Sequence, residues 1–173
     1  MTIAVIPARY GSSRLEGKPL AMIAGKSMIQ RVYEQAAKSD AVSQTIVATD
    51  DDRIIRAVED FGGRAVMTSD QCRSGTDRVA ETAQALGLGP NEIVVNIQGD
   101  QPVFDPRAID ALIRPFSQDQ ELVMSTLAFK IVDPREITDP KDVKVTFDAN
   151  GDALYFSRAQ IPFPRDNGPG VDY

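Results

Sequence analysis

Ile3-Ala4-Val5-Ile6-Pro7-Ala8-Arg9-Tyr10-Gly11-Ser12-Ser13-Arg14-Leu15-Glu16-Gly17-Lys18-Pro19-Leu20 is an apolar run that empties directly into a cationic, glycine-bearing loop. The apolar part, Ile3–Ile6, is continuous rather than alternating, the pattern of a strand buried on both faces of a parallel sheet. Ile46–Ala48 and Ile93–Ile97 repeat it, and Arg64–Met67 is a shorter strand of the same kind. Helical stripes lie between these runs. Met28, Ile29, Val32, Ala36 and Ala37 share one face, with Ser27 placed as N-cap. Ile54, Ile55, Val58 and Phe61 form a second stripe, ended by Gly62-Gly63. Val79, Ala80, Ala83 and Leu86 form a third, stopped by Gly87, and Ile109, Leu112, Ile113 and Phe116 a fourth, begun after Pro106. Alternating strands and helices of this length predict an α/β fold: a Rossmann-like, mostly parallel sheet with helices on both faces.

From about residue 120 the pattern changes, so we divide the chain into an α/β core over 1–120 and a smaller strand-rich lobe over 121–173. Leu122–Val132 is rich in strand formers. Val143, Val145 and Phe147 alternate with Lys144 and Thr146, the period-two sign of a half-buried strand. Asn150-Gly151 is a hairpin turn, and Ala153–Ser157 the returning strand. The last twelve residues, with three Pro and two Gly, read as a loop. A chain stopping in a loop just after a hairpin is expected to be part of a longer one.

The 173 residues are 42% hydrophobic and 25% charged, as in ordinary globular proteins, with a net charge of −6. That acidity argues against a nucleic-acid-coating protein. No apolar run is long enough to span a bilayer, and the N-terminus lacks the pattern of a signal peptide, so a cytoplasmic protein is expected. With one cysteine and no histidine, an internal disulfide and the common His-based metal and catalytic sites are excluded. Charge is concentrated at the head: Arg9, Arg14, Lys18 and Lys26 stand against Glu16 alone in the first 26 residues.

A loop after the first strand of an α/β sheet sits where ligands bind in that architecture. Its glycines allow close backbone approach, and Arg9, Arg14 and Lys18 can face one polyphosphate. It is not a Walker A loop: five residues separate Gly11 from Gly17, and Pro19 replaces the magnesium-holding Ser or Thr. Asp100 follows the third apolar run and a glycine. It reads as a magnesium ligand working together with substrate phosphates, or as a turn or capping residue; its position and the neighbouring Gln98 favour the metal. Ser74-Gly75-Thr76-Asp77-Arg78 precedes the third helix and reads as a capping segment or as a nucleotide contact. Arg158, at a strand end, is a surface residue or a bidentate grip for a carboxylate. Cys72 reads as inert.

The loop I-P-A-R-Y-G-S-S-R-L-E-G-K-P-L resembles the nucleotide loop of sugar nucleotidyltransferases, in detail that of the 3-deoxy-manno-octulosonate (Kdo) cytidylyltransferases. I-V-A-T-D at 46–50, S-G-T-D-R at 74–78, V-N-I-Q-G-D at 95–100 and A-L-Y-F-S-R-A-Q-I-P at 153–162 agree in order. The resemblance implies transfer of CMP from CTP to Kdo, releasing pyrophosphate, for lipopolysaccharide synthesis. It implies Arg9, Lys18 and Asp100 as catalytic, with Mg²⁺ on Asp100. It implies nucleotide contacts from Ala8, Arg9, Gly11, Ser12, Arg14, Lys18, Ser74, Gly75, Thr76, Arg78 and Gln98. Gln98 and Arg158 would meet the sugar, and residues 121–173 would serve sugar binding and dimerisation. Glu16 and Gln101 depart from the family's usual Pro and Glu. The family's later Lys-His pair and second metal-binding Asp have no counterpart in these residues. A homodimer is expected, without nucleic-acid partners or membrane insertion. The competing readings are transfer to another nonulosonic acid and a nucleotide-binding module without turnover.

Overall fold

A computed structural model describes residues 1–11 and 15–163. The chain divides into two compact units, Met1–Ser125 and Thr126–Tyr173. In the first, the elements in order are β1 (Thr2–Ala8), a 3₁₀ turn (Lys18–Leu20), β2 (Met22–Ile23), β3 (Lys26–Ser27), α1 (Met28–Ala36), β4 (Gln44–Thr49), α2 (Asp52–Asp60), β5 (Ala65–Met67), α3 (Gly75–Ala85), β6 (Ile93–Asn96), α4 (Arg107–Ile113) and α5 (Pro115–Gln118). The second holds α6 (Pro134–Thr138), β7 (Lys144–Phe147) and β8 (Ala153–Ser157).

The main sheet runs β5-β4-β1-β6, and every pairing in it is parallel. β1 owes its central place to its uninterrupted apolar run, since a middle strand has no solvent-facing side. Ala4, Ile6 and Ala8 pack with Ile29 and Val32 of α1, Ile54 and Val58 of α2 and Ile109 of α4. Ile3 and Val5 face the other way, toward Val79 of α3. Period-two alternation thus feeds two separate cores, and helices cover both faces as the sequence predicts.

The chain builds outward from β1 to β4 and β5, then returns to β6 on the opposite flank of β1. The order reverses between β1 and β6. At such a reversal the following loops diverge and leave a crevice beyond the carboxyl ends of the strands.

The helix starts follow the capping residues. Ser27 Oγ accepts from the Gln30 N–H at 3.3 Å, and Asp51 Oδ1 from the Arg53 N–H at 2.9 Å. α3 opens with a full capping box, in which the Asp77 N–H donates to Ser74 Oγ and the Ser74 N–H to Asp77 Oδ2.

Three expectations need correction. The single fourth helix is two: the Ile109–Phe116 stripe breaks between α4 and α5, where Pro115 has no N–H to continue the ladder. Leu122–Val132 forms no strand, and Val123, Phe129 and Val132 are more than four-fifths exposed. Strand-forming residues need a ladder partner, and this stretch pairs with none among the described residues. β7 and β8 do form the expected hairpin, with Gly151 at φ +91° in its turn. Burial along it does not follow the alternation, however: Lys144 is buried, Val145 and Thr146 are half-buried, and Val143 and Phe147 are exposed. The Lys144 ammonium donates to the carbonyl oxygens of Asp139 (2.7 Å), Asp142 (2.8 Å) and Arg158 (3.3 Å), which replace its water.

Candidate nucleotide cleft

The crevice beside β1 and β6 holds a cavity of about 480 Å³, lined from the first loop by Pro7, Ala8, Arg9, Gly11, Lys18 and Pro19, and from the second by Gln98, Gly99 and Asp100. The loops approach closely because residue 99 has no side chain. A Cβ there would lie 3.0 Å from the Pro7 carbonyl oxygen, a contact that needs backbone to move.

Lys18 and Asp100, 82 positions apart in sequence, meet in this cleft: Nζ donates to Oδ2 at 2.7 Å. Arg9 lines the same space, and its Nη2 donates to the Arg73 carbonyl oxygen at 3.0 Å. A cleft with two cations on one wall and a carboxylate opposite them suits a polyphosphate accompanied by a hard divalent ion.

The donor set at Asp100 can be tested against magnesium. The carboxylate is half exposed, and only Oδ2 is engaged among the described residues. No group of three His, Cys, Asp or Glu that could cage a metal occurs among those residues. Magnesium is commonly held by one or two carboxylates and completed by substrate phosphates and water, so one carboxylate beside the cations Arg9 and Lys18 fits it.

The remaining residues of the sequence reading fall in several places. Ala8, Gly11 and Gln98 line the cleft, with Gln98 Nε2 donating to Asn96 Oδ1 at 3.5 Å. Ser12 and Arg14 lie outside the described residues. Ser74, Gly75 and Thr76 form the N-terminus of α3 beside the cleft rather than its lining. Ser74 spends its hydroxyl on the cap, and Gly75 packs against the Pro7 ring. Arg158 belongs to the second unit, where its Nη1 donates to the Pro140 carbonyl oxygen at 2.6 Å.

Arg78 departs from its expected role as a nucleotide contact. It is fully buried, ion-paired to Asp50 at 2.7 Å, and donates to Thr68 Oγ1 and the Ser69 carbonyl oxygen. A guanidinium so enclosed ties α3 to the ends of β4 and β5 and presents nothing to the cleft. A buried arginine needs a carboxylate, and Asp50 at the carboxyl end of β4 was the available signal. The Cys72 thiol donates to Glu81 Oε2 at 3.0 Å, and that bond to a carboxylate pushes its pKa up, consistent with an unreactive thiol.

Comparison with known proteins places this geometry. A family model described as cytidylyltransferase matches residues 3–169. A 3-deoxy-manno-octulosonate cytidylyltransferase of Desulfatibacillum aliphaticivorans is 62% identical over 170 residues, covering 98% of this chain and 69% of the relative. An 8-amino-3,8-dideoxy-manno-octulosonate cytidylyltransferase of Shewanella frigidimarina is 55% identical over 163 residues, or 94% of this chain and 66% of that protein. The solved structure of a CMP:2-keto-3-deoxy-manno-octonic acid synthetase complexed with CTP superimposes with a TM-score of 0.92 at 45% identity, over 99% of this chain and 69% of that one.

Proposed function

This chain belongs to the cytidylyltransferase family, and from that membership we propose that it transfers CMP from CTP to 3-deoxy-D-manno-octulosonate, releasing pyrophosphate. The observation that carries the proposal is the cleft at the strand-order reversal, where Arg9, Lys18 and Asp100 converge from two loops.

In this reading the anomeric hydroxyl oxygen of the sugar attacks the α-phosphorus. A new P–O bond forms as the bond to the β-phosphate oxygen breaks, and the hydroxyl proton passes to solvent. Arg9 and Lys18 hold the triphosphate, and Lys18 exchanges its bond to Asp100 for one to phosphate oxygen. Asp100 is the residue that would hold Mg²⁺. Bound magnesium supplies positive charge against the phosphates and makes a neighbouring hydroxyl more acidic. Ala8, Gly11 and the Gln98 amide fix the nucleotide and the sugar between the loops, so that positioning and charge neutralisation carry the catalysis. Arg158 takes the planar carboxylate of the acid sugar, which a guanidinium can grip with two parallel hydrogen bonds. The enzyme acts in the cytoplasm as a homodimer, with the exposed apolar residues of the second unit at the interface.

The 8-amino relative supports a second acceptor. That sugar differs from Kdo at C8, far from the carboxylate assigned to Arg158, so the same chemistry serves both. Pyrophosphate release with CTP, Mg²⁺ and each acid sugar in turn tests the proposal. Turnover with Kdo is expected; turnover with the 8-amino sugar alone would reassign the acceptor. CTP binding without release for either sugar would leave a nucleotide-binding module.

A further inference from the structure

We propose that Tyr10 and Arg53 are positioning residues: together they clasp Gly17 to the start of α2 and so hold Lys18 in the cleft. The proposal rests on the reading of Lys18 as a triphosphate contact.

The clasp begins at Gly17. Its N–H donates to the Tyr10 carbonyl oxygen at 2.9 Å. Gly17 has φ +66°, and a Cβ built on it would come 3.1 Å from Tyr10 Cζ and 3.2 Å from Cε2 and Oη. The phenol ring therefore lies against the Gly17 backbone, at a position where only glycine combines that φ with that contact. The 3₁₀ turn starts at the next residue, with the Leu20 N–H donating to the Gly17 carbonyl oxygen at 2.8 Å. Wherever Gly17 is held, the Lys18 backbone is held too.

The other half of the clasp is Arg53. Its guanidinium carbon lies 3.2 Å from the Tyr10 ring centroid, in cation–π contact. That guanidinium cannot swing freely. Asp51 takes its Nε at 2.9 Å and its Nη2 at 2.6 Å, while also accepting the Arg53 backbone N–H as the N-cap of α2. The same contacts hold the Asp51 carboxyl below its ordinary pKa, so the pair stays charged near neutrality. A rigid helix start is thereby connected through Arg53, Tyr10 and Gly17 to a lysine whose Nζ reaches Asp100. Neither Tyr10 nor Arg53 lines the cleft, so their effect on a ligand has to pass through the residues they hold.

The test is CTP affinity by titration calorimetry on Tyr10→Phe, Tyr10→Ala, Arg53→Met and Lys18→Met, and on Tyr10→Ala combined with Lys18→Met. Tyr10→Phe keeps the ring face and is expected within about twofold of the parent, whereas Tyr10→Ala and Arg53→Met each weaken CTP by about five- to tenfold. In the Lys18→Met background, Tyr10→Ala should add nothing further, because its effect passes through Lys18. A purely structural role would lower the unfolding temperature and leave CTP affinity unchanged by Tyr10→Ala and Arg53→Met in the parent background. Arg53 is exposed enough for its variant to fold even if Tyr10→Ala does not. Undiminished affinity in Arg53→Met, beside a clear loss in Lys18→Met, would overturn the clasp alone. Undiminished affinity in Lys18→Met would overturn the phosphate role of Lys18 and the clasp with it.

Discussion

At the scale of single residues, the proposed ligand exchange turns on the Lys18–Asp100 pair. The two side chains are 34% and 51% exposed, so their attraction is screened and contributes at most about 1 kcal/mol. It is weak enough to be exchanged for phosphate and metal. The two halves of that exchange predict opposite signs for one substitution. Lys18→Met should weaken CTP by roughly tenfold or more, since it removes a charge-assisted hydrogen bond to phosphate. The same variant should strengthen Mg²⁺ binding to the nucleotide-free chain by about two- to threefold, because Asp100 loses its competing ammonium. Asp100→Asn should abolish that Mg²⁺ binding while CTP affinity without metal stays at or above the parent's. Separate titrations with CTP and with Mg²⁺ check these signs, and a Lys18 variant that weakened both ligands would show that the pair is not exchanged.

At the scale of elements, the β7–β8 hairpin is anchored from the side that its sequence pattern marks as solvent-facing. The alternation of Val143, Val145 and Phe147 with Lys144 and Thr146 is that of an amphipathic strand, and β7 pairs with β8 through a register shift between Thr146 and Phe147. The buried residue is nevertheless Lys144, because three carbonyl oxygens from the 139–142 turn and the end of β8 converge on its ammonium. Lys144→Met keeps the length of the stem but leaves those oxygens without their donor. It should cost about 2–4 kcal/mol of stability in the second unit. Amide exchange in β7 and β8 should accelerate to match, and unchanged protection there would show that the cage contributes nothing. α3 makes the opposite comparison. Its capping box was readable as Ser74 followed three positions later by Asp77, since the interaction spans only one turn.

At the scale of the whole molecule, the second unit leaves Phe129, Phe147, Leu154 and Tyr155 exposed. In the proposed homodimer these residues are covered. Sedimentation is expected to show a dimer at micromolar concentration, and Phe147→Glu with Tyr155→Glu should shift it toward monomer. A monomer at every concentration would overturn the assembly. The sequence alone determined the central sheet, its helices, and the cationic loop after the first strand. These depend on local periodicity and residue type: a short continuous apolar run between turn signals reads as a doubly covered strand, and the loop after it then falls at the carboxyl edge of the sheet. Only the tertiary structure decided which polar groups meet. Lys18 finds Asp100 across 82 positions, and Arg78 is enclosed by Asp50 and Thr68 rather than turned to the cleft. Lys144 is buried, and residues 122–132 pair with no strand among the described residues. Each of those outcomes depends on a partner supplied from elsewhere in the chain, a matter of distance in the folded state that residue type and spacing do not encode.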